Sequence, residues 1–130
     1  MIALNRYART QNETASKERL LVLLLEKALR DLRFGAESLE KGRPGESVHP
    51  LTRASDILQA LRATLDPQIA PALGANLREL YGFCSARLTL AAINQQPKLA
   101  REAERALEPI VAAFTKAVAE LGGKGGTGAR

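Results

Sequence analysis

Cys84, His49 and the carboxylates are the side chains of this chain that could take part in chemistry. A thiol and an imidazole can bind zinc or act as a nucleophile and its base. One cysteine and one histidine are too few for a zinc site built from these residue types, and a single cysteine excludes an internal disulfide. Cys84 lies at a core position of a predicted helix, which favours a packed thiol. His49 precedes Pro50 in a predicted loop, whereas phosphotransfer bundles use an exposed helical histidine.

Most carboxylates stand beside Lys or Arg in the sequence, as in residues 17–19, 26–33 and 101–105. This alternation is typical of a solvated helix surface and not of paired acids in a catalytic cleft. The net charge is +5 and the pI about 9.8. A nucleic-acid surface needs its cations gathered on one side, and no such stripe is visible. We therefore expect no enzyme activity, no metal, no cofactor and no nucleic-acid partner.

The composition of the chain favours helices as the elements that position any site. The chain has 22 Ala and 21 Leu but only 9 Val and Ile together, and β-branched residues are the ones that favour strands. Apolar residues recur every three or four positions, the period of one helix face. The predicted helices span residues 17 to 39 or 41, 50–65, 70–93 and 98–121, with Ser16 capping the first. With short connections, they predict an all-α fold, an antiparallel four-helix bundle.

Proline and glycine mark the predicted boundaries. The break after the first helix is KGRPG at residues 41–45. Pro109 falls inside the fourth helix, which predicts a kink near Arg105 or a split of the helix there. The expected organisation is an N-terminal arm over residues 1–15, the bundle over residues 16–121 and a disordered glycine-rich tail over residues 122–130.

Residues 20–25, LLVLLL, are the longest apolar run and far shorter than the roughly 20 residues of a membrane-spanning helix. The N-terminal residues do not have the pattern of a secretory signal. These two observations predict a cytosolic protein that does not insert into membranes.

The same run is apolar on every side of its helix for nearly two turns, although a helix of a four-helix bundle normally keeps one face in water. Exposed leucines forgo about 1.5 to 3 kcal/mol each relative to full burial. Either the arm or a central position of this helix covers the run, or a groove there receives a partner's amphipathic helix. An arm that a partner displaces would combine both explanations.

The order of several motifs resembles the flagellar secretion chaperone FliS family, the export chaperones of flagellin. The motifs are Tyr7, TAS at residues 14–16, LLVLLLEKAL at 20–29, RASDILQAL at 53–61 and ANLRELYGF at 75–83. TLD at 64–66 and RL at 87–88 also match, and Phe114 stands where the family often has Trp. The likeness covers about residues 5–118. Leu25, where the family has Tyr, and Lys27, where it has Gly, depart from the pattern, as do Asn12 and Ala92.

The resemblance implies a chaperone that binds the C-terminal segment of flagellin in the cytosol and prevents its premature polymerisation. It also implies contact with a component of the flagellar export gate, and an arm whose Tyr7 covers the binding site when it is empty. The apolar face of the bundle and the resemblance together predict these partner-binding residues: Tyr7, Leu20, Leu24, Leu25, Ile57, Leu58, Leu61, Leu65, Leu77, Leu80, Tyr81 and Phe114.

Two other functions stay open at this point. The leucine-rich helix could mediate self-association of a structural four-helix module, and we expect a monomer or a weak homodimer. The positive net charge leaves a small basic nucleic-acid-binding protein as the other alternative.

Overall fold

The computed structural model describes residues 13–128 and gives side-chain surroundings for residues 17–121. Along this stretch the chain forms four helices and no strand. We number them in order as α1 (Glu13–Glu40), α2 (Pro44–Ala63), α3 (Pro71–Asn94) and α4 (Pro97–Gly128). The predicted all-α class and the predicted bundle are therefore confirmed.

The helices pack in a ring in which each one contacts the helix before it and the helix after it, and α4 contacts α1. The connections are short, covering residues 41–43, 64–70 and 95–96, so consecutive helices run antiparallel. Arg101 near the start of α4 pairs with Glu40 at the end of α1, which places these two helices antiparallel as well. The ring has four seams, one between each pair of neighbours.

Two helix starts differ from the sequence prediction. Helix α1 begins at Glu13, so Ser16 lies inside the helix and is not its N-cap. Helix α2 begins at Pro44 and not at Pro50. A proline in the first turn has no amide donor to leave unpaired, which suits Pro44 to this position. His49 is consequently an exposed helical residue and not a loop residue.

The connection from α1 to α2 is a Schellman turn. The amide of Arg43 donates to the carbonyl of Ser38, and the amide of Gly42 donates to that of Leu39. Gly42 has a φ of 72°, which glycine adopts without steric cost. This turn lets α2 start only three residues after α1 ends.

Helix α4 continues through Pro109, so the predicted alternative of a split helix is wrong. Pro109 lies on the exposed side of the helix. The side chains beyond Leu121, and residues 129 and 130 altogether, lie outside the described part of the chain. The predicted disorder of residues 122–130 therefore stays a prediction, as does the arm over residues 1–15, of which residues 1–12 are not described.

Leucines and alanines fill the core. Six leucines without exposure come from all four helices, and six alanines without exposure lie between them. The leucines are Leu25, Leu32, Leu51, Leu58, Leu88 and Leu107, and the alanines are Ala28, Ala36, Ala54, Ala91, Ala100 and Ala103. Small side chains allow the helix backbones to approach closely, which leaves little room for substitution.

Gly35 of α1 lies directly against α2. A Cβ atom placed there would lie 2.5 Å from Cγ and Cδ2 of Leu51, which is fully buried. Gly45 in α2 also lies in a helix, but a Cβ atom there would have no neighbour within 4 Å.

We predict that Gly35→Ala destabilises the bundle by about 1 kcal/mol. Overpacking costs about 1–3 kcal/mol, and the better helix propensity of alanine offsets about 1 kcal/mol of it. Gly45→Ala is the matched control and should leave the stability equal or higher. Urea unfolding followed by circular dichroism measures both; equal stability of the two variants would contradict the packing described here.

Candidate binding surface

Ion pairs close the seam between α1 and α4. Arg33 Nε donates to Glu104 Oε2 over 2.7 Å, and the Arg33 guanidinium also pairs with Glu108. Arg101 joins Glu40 at 2.8 Å and Glu104 at 2.9 Å. Burial acts to raise the pKa of Glu104, but its hydrogen bonds to Arg33 and Arg101 hold that pKa below the ordinary value. These charges keep the α1–α4 seam polar.

Hydroxyl groups close the seam between α2 and α3. The Oγ atoms of Ser55 and Ser85, both buried, are 2.6 Å apart. Gln59 Nε2 donates to Ser85 Oγ over 3.0 Å, and the hydroxyl oxygens of Ser55 and Thr89 are 3.4 Å apart. Since buried polar groups must find hydrogen-bond partners, this network fixes the register of α2 against α3.

The seam between α1 and α2 is mixed. Asp31 lies 3.4 Å from Arg53 Nη2 and 3.3 Å from Lys27 Nζ. Leu24 precedes Asp31 by two helical turns and Ile57 follows Arg53 by one, so both lie along this seam. Each is half-buried against the core.

The seam between α3 and α4 is apolar over most of its length. Two contacts show which sides of α3 and α4 face each other. Cys84 Sγ is 3.6 Å from the Ala103 carbonyl oxygen, and Arg87 Nε is 3.4 Å from Glu102 Oε1. That ion pair is the one that crosses this seam within the described residues. The side chains on this side of the two helices form what we call the α3–α4 strip: Leu73, Leu80, Phe83, Leu90, Leu99, Ala106, Ile110 and Phe114.

Much of the α3–α4 strip is open to water. Leu73 is 54% exposed, Phe83 42% and Leu90 41%, while the other members are half-buried against the core. The Arg87 guanidinium lies 5.0 Å from the centre of the Phe83 ring and covers part of it. A row of apolar side chains along two neighbouring helices is a surface onto which an amphipathic helix can pack.

The structure divides the predicted partner-binding residues into three groups. Five are in the core and inaccessible in this arrangement: Leu25, Leu58, Leu61, Leu77 and Tyr81. Six are half-buried at the surface: Leu20, Leu24, Ile57, Leu65, Leu80 and Phe114. Tyr7 lies outside the described residues. The half-buried group is spread over several seams, and Leu80 and Phe114 are its members on the α3–α4 strip.

The leucine-rich run is more enclosed than its sequence indicates. Val22 and Leu25 are buried, and in the run only Leu23 is more than half exposed, at 55%. The bundle's own helices shelter most of this run, whereas Leu73, Phe83 and Leu90 of the α3–α4 strip are each more than 40% exposed. Sequence reasoning missed Phe83 and Leu90; their spacing from Arg87, four before and three after, places them on its side of the helix.

Cys84 and His49 lie in opposite surroundings. Cys84 is fully buried, and burial raises the pKa of its thiol to about 11, so it stays protonated at neutral pH. His49 is exposed on α2. Within residues 13–128, no group of three or more His, Cys, Asp and Glu side chains is arranged to hold a metal ion. Nor does this stretch contain a helix that is both long and apolar enough to span a bilayer.

Comparison with known proteins adds one match. The model of the family described as flagellar protein FliS matches residues 1–121. A search of curated proteins found no match. The family match covers most of the 130 residues, including all four helices up to Leu121, and it confirms the resemblance seen in the motifs. The chain belongs to the FliS family of flagellar proteins.

Proposed function

We propose that this protein is a cytosolic chaperone that binds the C-terminal segment of flagellin, prevents its premature polymerisation and assists its export. Membership of the FliS family supports a role as a flagellar export chaperone, and the family is one of chaperones and not of enzymes. The observation that carries the proposal is the α3–α4 strip, an open apolar surface on a bundle whose other seams contain polar or charged contacts.

The proposed ligand is an amphipathic helical segment that places its apolar face on the α3–α4 strip. Fully burying a leucine or phenylalanine yields about 1.5–3 kcal/mol. Leu73, Phe83 and Leu90 are each about half exposed, so covering all three yields a few kcal/mol before the ordering of the ligand is counted. The loss of conformational entropy is large for a segment that folds on binding. Additional contacts elsewhere on the bundle are therefore needed to offset it.

The half-buried residues outside the strip supply such contacts in this proposal. Apolar atoms are exposed in the first half of α1, by Leu20 and Leu24, and in the second half of α2 and just after it, by Ile57 and Leu65. A flagellin segment that wraps around the bundle could reach both regions. Sequestering the segment by binding lowers the free concentration of assembly-competent flagellin by mass action, without any chemical step. Delivery would then need contact with an export-gate component.

Self-association is the competing use of the same strip. Light scattering on the isolated chain distinguishes the two: a stable dimer that hides Leu90 from solvent would favour the structural module over the chaperone. The exposed cations do not favour nucleic acid, because many of them pair with carboxylates across the seams.

We predict that Leu90→Glu weakens binding of the flagellin C-terminal segment by about tenfold or more. The substitution removes apolar area from the interface and places a charge against the ligand's apolar face, which costs at least about 1.4 kcal/mol. Val48→Glu on α2 is the control, because Val48 is similarly exposed at 46% but lies outside the strip. Isothermal titration calorimetry measures both affinities, with circular dichroism to verify the fold; equal affinities would contradict the proposed site.

For the arm, we predict that deleting residues 1–12 increases the fluorescence of a dye that binds apolar surfaces, and that Tyr7→Ala gives part of the same increase. An aromatic ring with a hydroxyl suits a reversible cover over an apolar site. The deletion stops before α1, which begins at Glu13. Unchanged dye fluorescence in both variants would rule out the arm as a cover.

A further inference from the structure

Arg62 and Arg78 share an open depression of about 360 Å³ between the end of α2 and the start of α3. Gln59, Ala63 and Leu65 complete its lining, so the depression has two guanidinium groups and an amide but no carboxylate. Two like charges that converge in one concavity repel each other, and an anion placed between them relieves that repulsion.

Arg62 is held in place by the protein. Its Nε donates to the carbonyl of Arg78 over 3.2 Å. Its guanidinium lies against the backbone of α3 at Gly82, where a Cβ atom would be 3.5 Å from Nε and 3.6 Å from Cζ. The terminal nitrogens of Arg62 donate to no other described residue, and the same is true of the Arg78 side chain.

Other arginines on the same two helices are arranged differently. Arg53 of α2 pairs with Asp31, and Arg87 of α3 pairs with Glu102. Within residues 17–121, neither Arg62 nor Arg78 has a carboxylate within 4 Å. The depression therefore combines positioned hydrogen-bond donors with uncompensated positive charge.

Apolar residues recur along the chain between this depression and the α3–α4 strip. Leu65 lines the depression, Ile69 in the α2–α3 connection is 70% exposed, and Leu73 is the first residue of the strip. The connection lies against the first turn of α3, because the Ile69 carbonyl would be 3.8 Å from a Cβ atom at Gly74. A polypeptide on the strip can thus continue around this end of the bundle and reach both arginines.

We propose that Arg62 and Arg78, with Gln59, bind a carboxylate of the polypeptide that occupies the α3–α4 strip. The planar fork of a guanidinium matches the two oxygens of a carboxylate, and such charged hydrogen bonds are stronger than neutral ones. The carboxylate is either an Asp or Glu side chain or the C-terminal carboxylate of the bound segment. This inference rests on the proposed function, since it assigns one subsite of that binding surface.

The test measures binding of the flagellin C-terminal segment to the full chain and to the variant R62Q/R78Q. The expected result is about a tenfold loss of affinity and a weaker dependence of affinity on salt. The control R30Q/R105Q removes the same charge from two exposed arginines without ion pairs in the described residues and should lose less than twofold. Arg78→Gln alone retains the backbone carbonyl that holds Arg62. This single variant replaces the double variant in the binding measurement if the double variant does not fold.

Two altered forms of the segment identify the carboxylate: one with an amidated C-terminus and one with Asp and Glu replaced by Asn and Gln. One of the two altered segments should bind the unaltered chain about tenfold more weakly than the original segment does. The same segment should bind R62Q/R78Q as tightly as the original segment does, which is the signature of a direct contact. Equal losses against both chains, or R62Q/R78Q binding as tightly as the control, would overturn the subsite while leaving the chaperone proposal standing. If the unaltered chain does not bind the segment at all, both proposals fail.

Discussion

Removal of the central leucines from water is the constraint on which this structure depends. Leu25, Leu32, Leu58, Leu88 and Leu107 have no exposure, and alanines between them bring the helices close together. In a ring of four helices, each helix can direct only part of its circumference toward this centre. The remaining side chains must lie along the seams or in water, and the composition of each seam decides what the surface can bind.

Three seams use polar side chains to hold the bundle together in one arrangement. Arg33 and Arg101 link α1 to α4, while Ser55 and Ser85 link α2 to α3. Exposed ion pairs contribute little to stability, but partners of fixed geometry restrict how the helices align. The α3–α4 seam has a single ion pair within the described residues, Arg87–Glu102, so its exposed apolar side chains stay available to another polypeptide.

The leucine-rich run and the α3–α4 strip show why an apolar sequence is a poor guide to an apolar surface. Residues 20–25 are the most apolar stretch of the chain, yet the bundle covers most of them. Phe83 and Leu90 are separated by six residues of mixed polarity in the sequence, yet they come together with residues of α4 in an open row. The positions that the tertiary structure exposes, and not the local density of leucine, define the binding surface.

The sequence by itself determined the helical class, the four helices and the family likeness, because helix propensity, apolar period and motif order are local properties. It placed the helix starts less well: Pro44 and Pro50 are both acceptable in a first turn, and only the Schellman turn at Gly42 selects the earlier one. The tertiary structure alone decided which apolar residues are buried. A helical period shows that Leu25 and Leu80 lie on apolar faces, but their burial depends on which neighbouring helix covers each face.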